Sequence, residues 1–443
     1  MSFMLLGILN SQAAGGGLTY WLATLGGAAA DEGYGVATDS SGKVYYVARQ
    51  SSQGGGSYDW YVAQSDSAGA VQWQRTLGSS GFEEVGKGSL TLDSSGNSYI
   101  AGNDASGAER VPALAKYNSS GVIQWQRKLT GGGSAGSGGS AIDSSGDIYL
   151  SSRVYVSAIY KASLAKYNSS GTLQWQRGTN GTDQSSFDSV AVDSSDNVYG
   201  FGRTTDAGAG SDDFLIIKYN SSGTVQWQRV LGGASSEFAG GIVIDSSDNL
   251  YVTGYTSSQG PGSSSGFIAK YNSSGTVQWQ RTLGNSSSNY LYGVALDSEN
   301  NVYVSGYASI SSKNDMVFAK YNSSGTIQWQ RRITSTGTDN DIGYGIHVDS
   351  ADTLYVIGQT NNTGVGSADI LIAKLPSDGS LTGTYELDGV NMTYGASSLT
   401  AATATLTAAT SSIALETSSY TSATATMTDA AASFTSHLVE IPA

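Results

Sequence analysis

The chain has no cysteine. That absence excludes disulfides, thiolate nucleophiles and zinc–thiolate sites together, although it does not fix the compartment. Histidine is nearly absent too: there are only His347 and His437. Charged residues make up 13% of the chain, and 22 Lys and Arg face 36 Asp and Glu, for a net charge of −14. Twelve of the 22 basic residues lie inside the repeated phrases described below or, for Lys374, at the matching place of the last unit, and the other ten are scattered along the chain. A nucleic-acid binder needs clustered cations to release counterions, so nucleic acid is not an expected partner. No apolar run is long enough to span a bilayer. The opening Met1 to Gln12 has an apolar core only from Phe3 to Leu9 and no basic flank before it. Residues 1–17 therefore read as a structural arm, with a secretion signal as the alternative.

Two phrases repeat. The first, K-Y-N-S-S-G-x-x-Q-W-Q-R, carries Trp73, Trp125, Trp175, Trp227, Trp279 and Trp329, spaced 50 or 52 residues apart, and Trp21 lies 52 residues before Trp73. The second, D-S-S-x-N-x-Y, begins at Asp39, Asp93, Asp143, Asp193, Asp245, Asp297 and Asp349, each with a tyrosine six residues on. Seven units follow. Each reads as four strands: in the fourth unit, Ser189 to Val192, Val198 to Gly202, Phe214 to Tyr219 and Thr224 to Leu231. The Asn, Asp and Gly clusters between them are turn chemistry. In the last strand Val225, Trp227 and Arg229 alternate with Gln226 and Gln228, so Trp and Val fill the gap between neighbouring sheets.

A four-stranded unit of this period fits a propeller blade. The chain enters with only the last strand of a unit, Tyr20 to Gly26, and leaves after the third strand of the seventh, Ile370 to Leu375. The N-terminal strand is thus expected to complete the last blade and close an all-β, seven-bladed β-propeller over residues 18–382. The GG-x-D-x-F-x-A-K-Y-N-S-S-G and V-A-x-D-S-S-G-N-x-Y-V-x-G stretches resemble the secreted bacterial β-propeller repeat (SBBP-type) family over roughly residues 18–380. The resemblance implies the fold and little about function. The W-Q-R element is this sequence's own variation.

From about Gly383 the composition turns to Thr, Ala and Ser. Large residues recur every seven: Tyr385, Met392, Leu399, Leu406, Ile413, Tyr420, Met427, Phe434 and Ile441. A coiled coil wants a second apolar position and charged flanks, which are missing. Residues 383–443 are expected to form an extended β-type stalk that oligomerises, with a helical stalk or a disordered linker as alternatives.

Catalytic material is sparse. His347 reads as a surface or satisfied core histidine, His437 sits in the tail, and neither has a nucleophile motif around it. The D-S-S-x-N aspartates lack the glycine and glutamate of a calcium loop and read as hairpin turns. The recurring Arg and Lys are more simply fold devices than sites. The carboxylate pairs Asp31–Glu32, Glu83–Glu84 and Asp212–Asp213 are sequence neighbours, which does not establish a glycosidase pair. No catalytic, cofactor-binding or metal residue is singled out, and no cofactor is expected. Recognition belongs where units differ, in the loops 49–59, 103–112, 151–163, 203–213, 255–266, 307–315 and 359–369. Tyr155, Tyr160 and Tyr255 offer aromatic surface there, and host-surface glycans are a conceivable ligand.

The leading functional expectation is a non-enzymatic display protein of a bacteriophage virion, in a tail or capsid appendage. Its partners would be copies of itself and other virion subunits. The opening MSFMLLGILNSQAAGGG and the ending HLVEIPA loosely resemble virion proteins of marine phages. The alternatives are a bacterial cell-surface adhesin or extracellular filament subunit, and a polysaccharide-degrading enzyme.

Overall fold

Each D-S-S turn is held by its aspartate. In the fourth unit Asp193 Oδ1 accepts the N–H groups of Ser195 and Asn197 at 3.0 and 2.9 Å, and Oδ2 accepts the Tyr199 hydroxyl at 2.8 Å. Lys218 of the K-Y-N phrase closes on the same oxygen at 3.0 Å. The repeated Asp, Tyr and Lys thus join three neighbouring strands of one blade. The N-S-S-G turn works the same way through Asn220, whose Oδ1 accepts from Ser222 and Thr224.

A computed structural model describes residues 20–51, 57–130, 133–337, 339–361, 367–387, 389–410, 415–416, 421–423, 428–431 and 435–441; beyond Leu406 it describes the backbone alone. The expected arm 1–17 lies outside the described residues, as do Ile413, Tyr420, Met427 and Phe434. Among the described residues there is no helix long and apolar enough to cross a membrane.

The described residues form seven antiparallel sheets. The last blade pairs Asp369–Pro376 with Tyr20–Gly26, in the register Trp21 to Lys374 and Leu25 to Ile370, so the first described strand closes the ring as expected. Seven apolar clusters fill the seven gaps between adjacent blades. The closing gap, for example, joins Trp21, Ile357 and Ile372 of the last blade to Val44, Tyr46 and Tyr61 of the first.

The W-Q-R strand latches one blade to the next. Trp227 Nε1 donates to the carbonyl of Ser273 in the following blade at 3.1 Å, and Arg229 Nε donates to Gly275 at 3.0 Å. The indole contact recurs in every gap, down to Trp21 on Ser67 across the closure. The turn glycine is needed twice over. Gly121 has φ of +72°, and a Cβ there would meet Trp73 at 2.5 Å.

The tail is not the free stalk expected from its seven-residue spacing. It runs backwards round the ring and adds an outer strand to every blade. Val390–Ala396 pairs with Ile327–Ser335, Thr400–Thr403 with Val277–Gly284 and Thr407–Thr410 with Val225–Gly232. Leu415–Glu416, Thr421–Ala423 and Thr428–Ala431 continue onto the third, second and first blades, and Thr435–Ile441 pairs with Tyr20–Gly26. The register shows where the seven comes from. Arg331 faces Ala396, Arg281 faces Thr403 and Arg229 faces Thr410, an advance of one blade per seven residues. Met392, Leu399 and Leu406 drop into successive gaps, each at most 5% exposed. The second glutamine of Q-W-Q holds this belt: Gln280 donates to the Leu406 carbonyl at 3.0 Å and accepts its N–H at 3.1 Å. The apolar faces that were expected to require other chains are, through Leu406, buried within this one.

Candidate functional site

The innermost strand of each blade runs down the axial channel, from the face that carries the variable loops to the face that carries the D-S-S turns. All seven lose register with the second strand partway along. The extra residue of a β-bulge is unpaired and its side chain is re-aimed. Tyr34, Asp188, Tyr292 and Tyr344 each stand at such a skip, and in the second blade Lys87 lies within the irregular stretch between Val85 and Leu90. Gly240 and Gly241 take the place in the fifth blade. These positions line the channel and carry Tyr in three blades and Asp, Lys or Gly in others.

Two cavities share Tyr34. One, of about 330 Å³ at the loop face, is lined by Arg49, Glu84, Lys87, Arg153 and Asp188 among others. The other, of about 380 Å³ toward the turn face, is lined by Leu90, Ile242 and Ile346 together with Thr38, Ser140 and His347 among others. Between them Tyr34 stacks on Tyr344 at 4.7 Å, Tyr344 stacks on Tyr292 at 5.6 Å, and the Lys87 ammonium lies 3.3 Å from the Tyr292 ring centre.

Around the mouth one side is aromatic and the other charged. Aromatic contacts pass from Tyr34 and Tyr344 through Tyr292, Tyr290 and Tyr307 to Tyr255 and Phe238. Opposite, Arg49 grips both oxygens of Glu32 at 2.8 and 2.9 Å and reaches Glu84 at 3.4 Å, and Arg110 binds Glu84 at 3.0 Å. Arg203 pairs with Asp212 at 3.2 Å and covers Phe238. Arg153 covers Tyr160. Five of the ten basic residues that looked scattered in the sequence, Arg49, Lys87, Arg110, Arg153 and Arg203, therefore meet at one end of the channel.

Burial sets the ionisation. It pulls the Lys87 amine down to about 8, against the opposing pull of Asp188. It pushes the Asp188 carboxyl up, although Arg203, Ser186, Arg153 and Lys87 act the other way. Lys87, Asp188 and His347 keep some surface exposed to the channel, yet protein surrounds them on all sides. His347 is neither a surface nor a core residue. It faces the lower cavity, with Nε2 2.9 Å from Thr38 Oγ1, and burial lowers it to about 4, so it is neutral near pH 7. Among the described residues no carboxylate is hydrogen-bonded to it. His437 lies in the strand Thr435–Ile441, where only the backbone is described.

The sequence-neighbour carboxylates divide their labour. Glu32, Glu84 and Asp212 turn to arginines at the mouth, while Asp31, Glu83 and Asp213 are buried at the strand starts. Asp31 accepts the Gly27 N–H at 2.8 Å, and Asp213, raised to about 6 chiefly by burial, accepts that of Gly210 at 3.3 Å. Of the loop tyrosines, Tyr255 joins the aromatic arc. Tyr155 and Tyr160 pair with each other at 5.0 Å. Sequence reasoning missed Tyr34, Tyr290, Tyr292, Tyr344, Lys87 and Asp188, because it looked for variation in the loops. The signal was present in the innermost strands, where the fourth place is Tyr in D-E-G-Y-G and N-Y-L-Y-G and Asp in S-S-F-D-S. Among the described residues no three acidic or histidine side chains are grouped to hold a metal.

Residues 226–260 match the Beta-propeller repeat family (SBBP). An uncharacterized WD repeat-containing protein of Acanthamoeba polyphaga mimivirus is 28% identical over 22% of this chain and 9% of its own length, so the match spans a small part of that relative. The polysaccharide lyase Uly1 aligns with 80% of this chain and 90% of its own at 9% identity and a TM-score of 0.47. PorZ, a surface component of the type-IX secretion system of Porphyromonas gingivalis, aligns with 76% of this chain and 49% of its own at 12% identity and 0.39. The β-fructofuranosidase BmSUC1 of Bombyx mori aligns with 85% of this chain and 93% of its own at 8% and 0.31. At such values the solved structures carry no argument about this chain's chemistry. The likeness of the two ends to phage virion proteins gains no support from these comparisons.

Proposed function

We propose that the protein is a non-enzymatic recognition module, displayed outside a cell or on a virion, whose channel mouth binds a saccharide of the surface it attaches to. The observation that carries this reading is the mouth itself: half-buried tyrosine faces along one side and oriented Arg, Lys and carboxylate groups along the other. Sugar rings offer apolar faces that stack on aromatics and hydroxyls that bond to fixed polar groups. A binding role is favoured over hydrolysis because Glu32, Glu84 and Asp212 are engaged by arginines. A glycosidase needs one carboxyl as acid and a second free as base or nucleophile. The described strands of the tail lie on the ring, and in this reading residues 1–17 serve attachment. The likeness of the repeats to secreted bacterial propeller repeats favours work outside the cell.

Printed arrays of bacterial and host-surface polysaccharides test the reading. Selective retention is expected, weakened at least tenfold by Tyr344→Ala, with no release of reducing ends. If the folded protein retains no saccharide, or cleaves the one it binds, the reading is wrong.

A further inference from the structure

The mouth cavity is unevenly charged. Its walls carry Arg49, Lys87 and Arg153 against Glu84 and Asp188. Glu84 is shared between Arg49 and Arg110. Arg49 is further held by Glu32. Lys87 and Arg153 are different. Among the described residues neither has a carboxylate oxygen within 4.0 Å, and the contacts they do make are with rings, Tyr292 and Tyr160. Both line the same cavity, one from the second blade and one from the third, in a chain whose net charge is −14. Asp188 pulls on Lys87 from beyond ion-pair distance and does not offset the cost of burying the ammonium. The depression of Lys87 to about 8 reflects that cost.

We propose that the mouth selects an acidic sugar, a pyranose bearing one carboxylate, with the carboxylate received between Lys87 and Arg153 and the ring against Tyr34. This inference rests on the saccharide-binding reading and narrows it. The guanidinium of Arg153 offers the planar fork that matches a carboxylate, and Lys87 adds a point charge. Asp188 stands on the same wall, where burial raises its carboxyl and Ser186 donates to it at 3.0 Å. It remains an acceptor for a sugar hydroxyl. A cavity of about 330 Å³ is at the lower end for small-molecule sites, so it takes a single sugar residue, and the rest of a chain would lie over the aromatic arc.

The test uses the full chain and acidic polysaccharides, a polygalacturonate and a polyglucuronate, each beside its carboxyl-reduced neutral counterpart of the same linkage. The acidic forms are expected to bind at least tenfold more tightly, and the preference should shrink as salt rises, since screening weakens charge contacts. Lys87→Gln and Arg153→Gln should each bring acidic and neutral forms to within about twofold, with thermal melting checking the fold. Arg153 packs at the channel rim, so its variant serves if Lys87→Gln does not fold. Equal retention of acidic and neutral polymers, or retention of neutral ones alone, overturns the acid preference and leaves the saccharide reading standing. Variants that keep the full preference overturn the assignment to Lys87 and Arg153. Retention of no saccharide of any kind overturns the reading itself.

Discussion

His347 is built into the channel wall in its neutral form, and that has a consequence for stability. Its folded pKa of about 4 lies below the ordinary 6.5. The stability it contributes is fully present above pH 6.5 and is lost as the pH falls through about 4. The turn aspartates act in the same direction at lower pH. Burial opposes the Asp193 carboxylate, but bonds from Asn197, Lys218 and Tyr199 together hold it below its ordinary value. Asp39, Asp93, Asp245 and Asp297 are lowered in the same manner. Their contribution is present above the ordinary carboxylate range of about 4 and disappears below it. His347 therefore draws stability down between about pH 6.5 and 4, Asp213, raised to about 6, works in the opposite sense over the same window, and the turn aspartates take over below. His347→Gln is expected to lift stability near pH 4 relative to pH 7, compared with the parent, and to leave the limb below unchanged. Denaturant midpoints measured from pH 8 to 3 check this, and an unchanged profile in the variant would show that His347 is not the group responsible.

At the scale of the element, the W-Q-R strand and the tail explain one another. An outer strand without a partner would present a row of unpaired N–H and C=O groups in each blade. The tail covers that row, and the glutamine between Trp and Arg anchors its backbone, as Gln330 does on the Leu399 carbonyl at 2.7 Å. Short strand pieces with one apolar residue per gap make the belt the least protected layer, since local opening needs only a few contacts broken. Leu406→Ala removes a side chain buried in the gap between the fourth and fifth blades and should cost about 2–5 kcal/mol locally. Amide exchange is expected to quicken in Thr400–Thr403 and Thr407–Thr410 while Asp213–Tyr219 stays protected. Exchange that rises equally in all three would mean that belt and blade unfold as one unit. A Thr- and Ala-rich composition with a period of seven was legible in the chain, but its meaning was not. Seven is the number of residues that carries the backbone from one blade to the next, and a blade spacing is a property of the closed ring.

For the whole molecule, closure decides stability. Every gap is filled by side chains from two blades, so an unclosed ring would leave two sheets with bare apolar faces. Tyr20–Gly26 supplies the strand that joins the ends, and Trp21, 1% exposed, both fills the last gap and latches onto Ser67. Deleting residues 1–17 should leave the melting temperature unchanged, whereas deleting residues 1–26 should leave no cooperative melting transition and an associating product in light scattering. Normal melting after the longer deletion would mean that the ring does not depend on this weld.

Much of this was determined by local chemistry. The Asn, Asp and Gly turns, the strand alternation between them and the seven recurrences of one Trp and one Asp specify blades, and the split of one blade between the two ends specifies a circle. These features rest on contacts between near neighbours or on exact repetition, which a linear chain displays. The mouth was settled only by tertiary structure. Its Tyr34, Lys87, Asp188, Tyr292 and Tyr344 are separated by tens to hundreds of residues and belong to no shared phrase. A bulge in each innermost strand turns them toward one axis, and it is the curvature of the ring that makes that axis common to all of them.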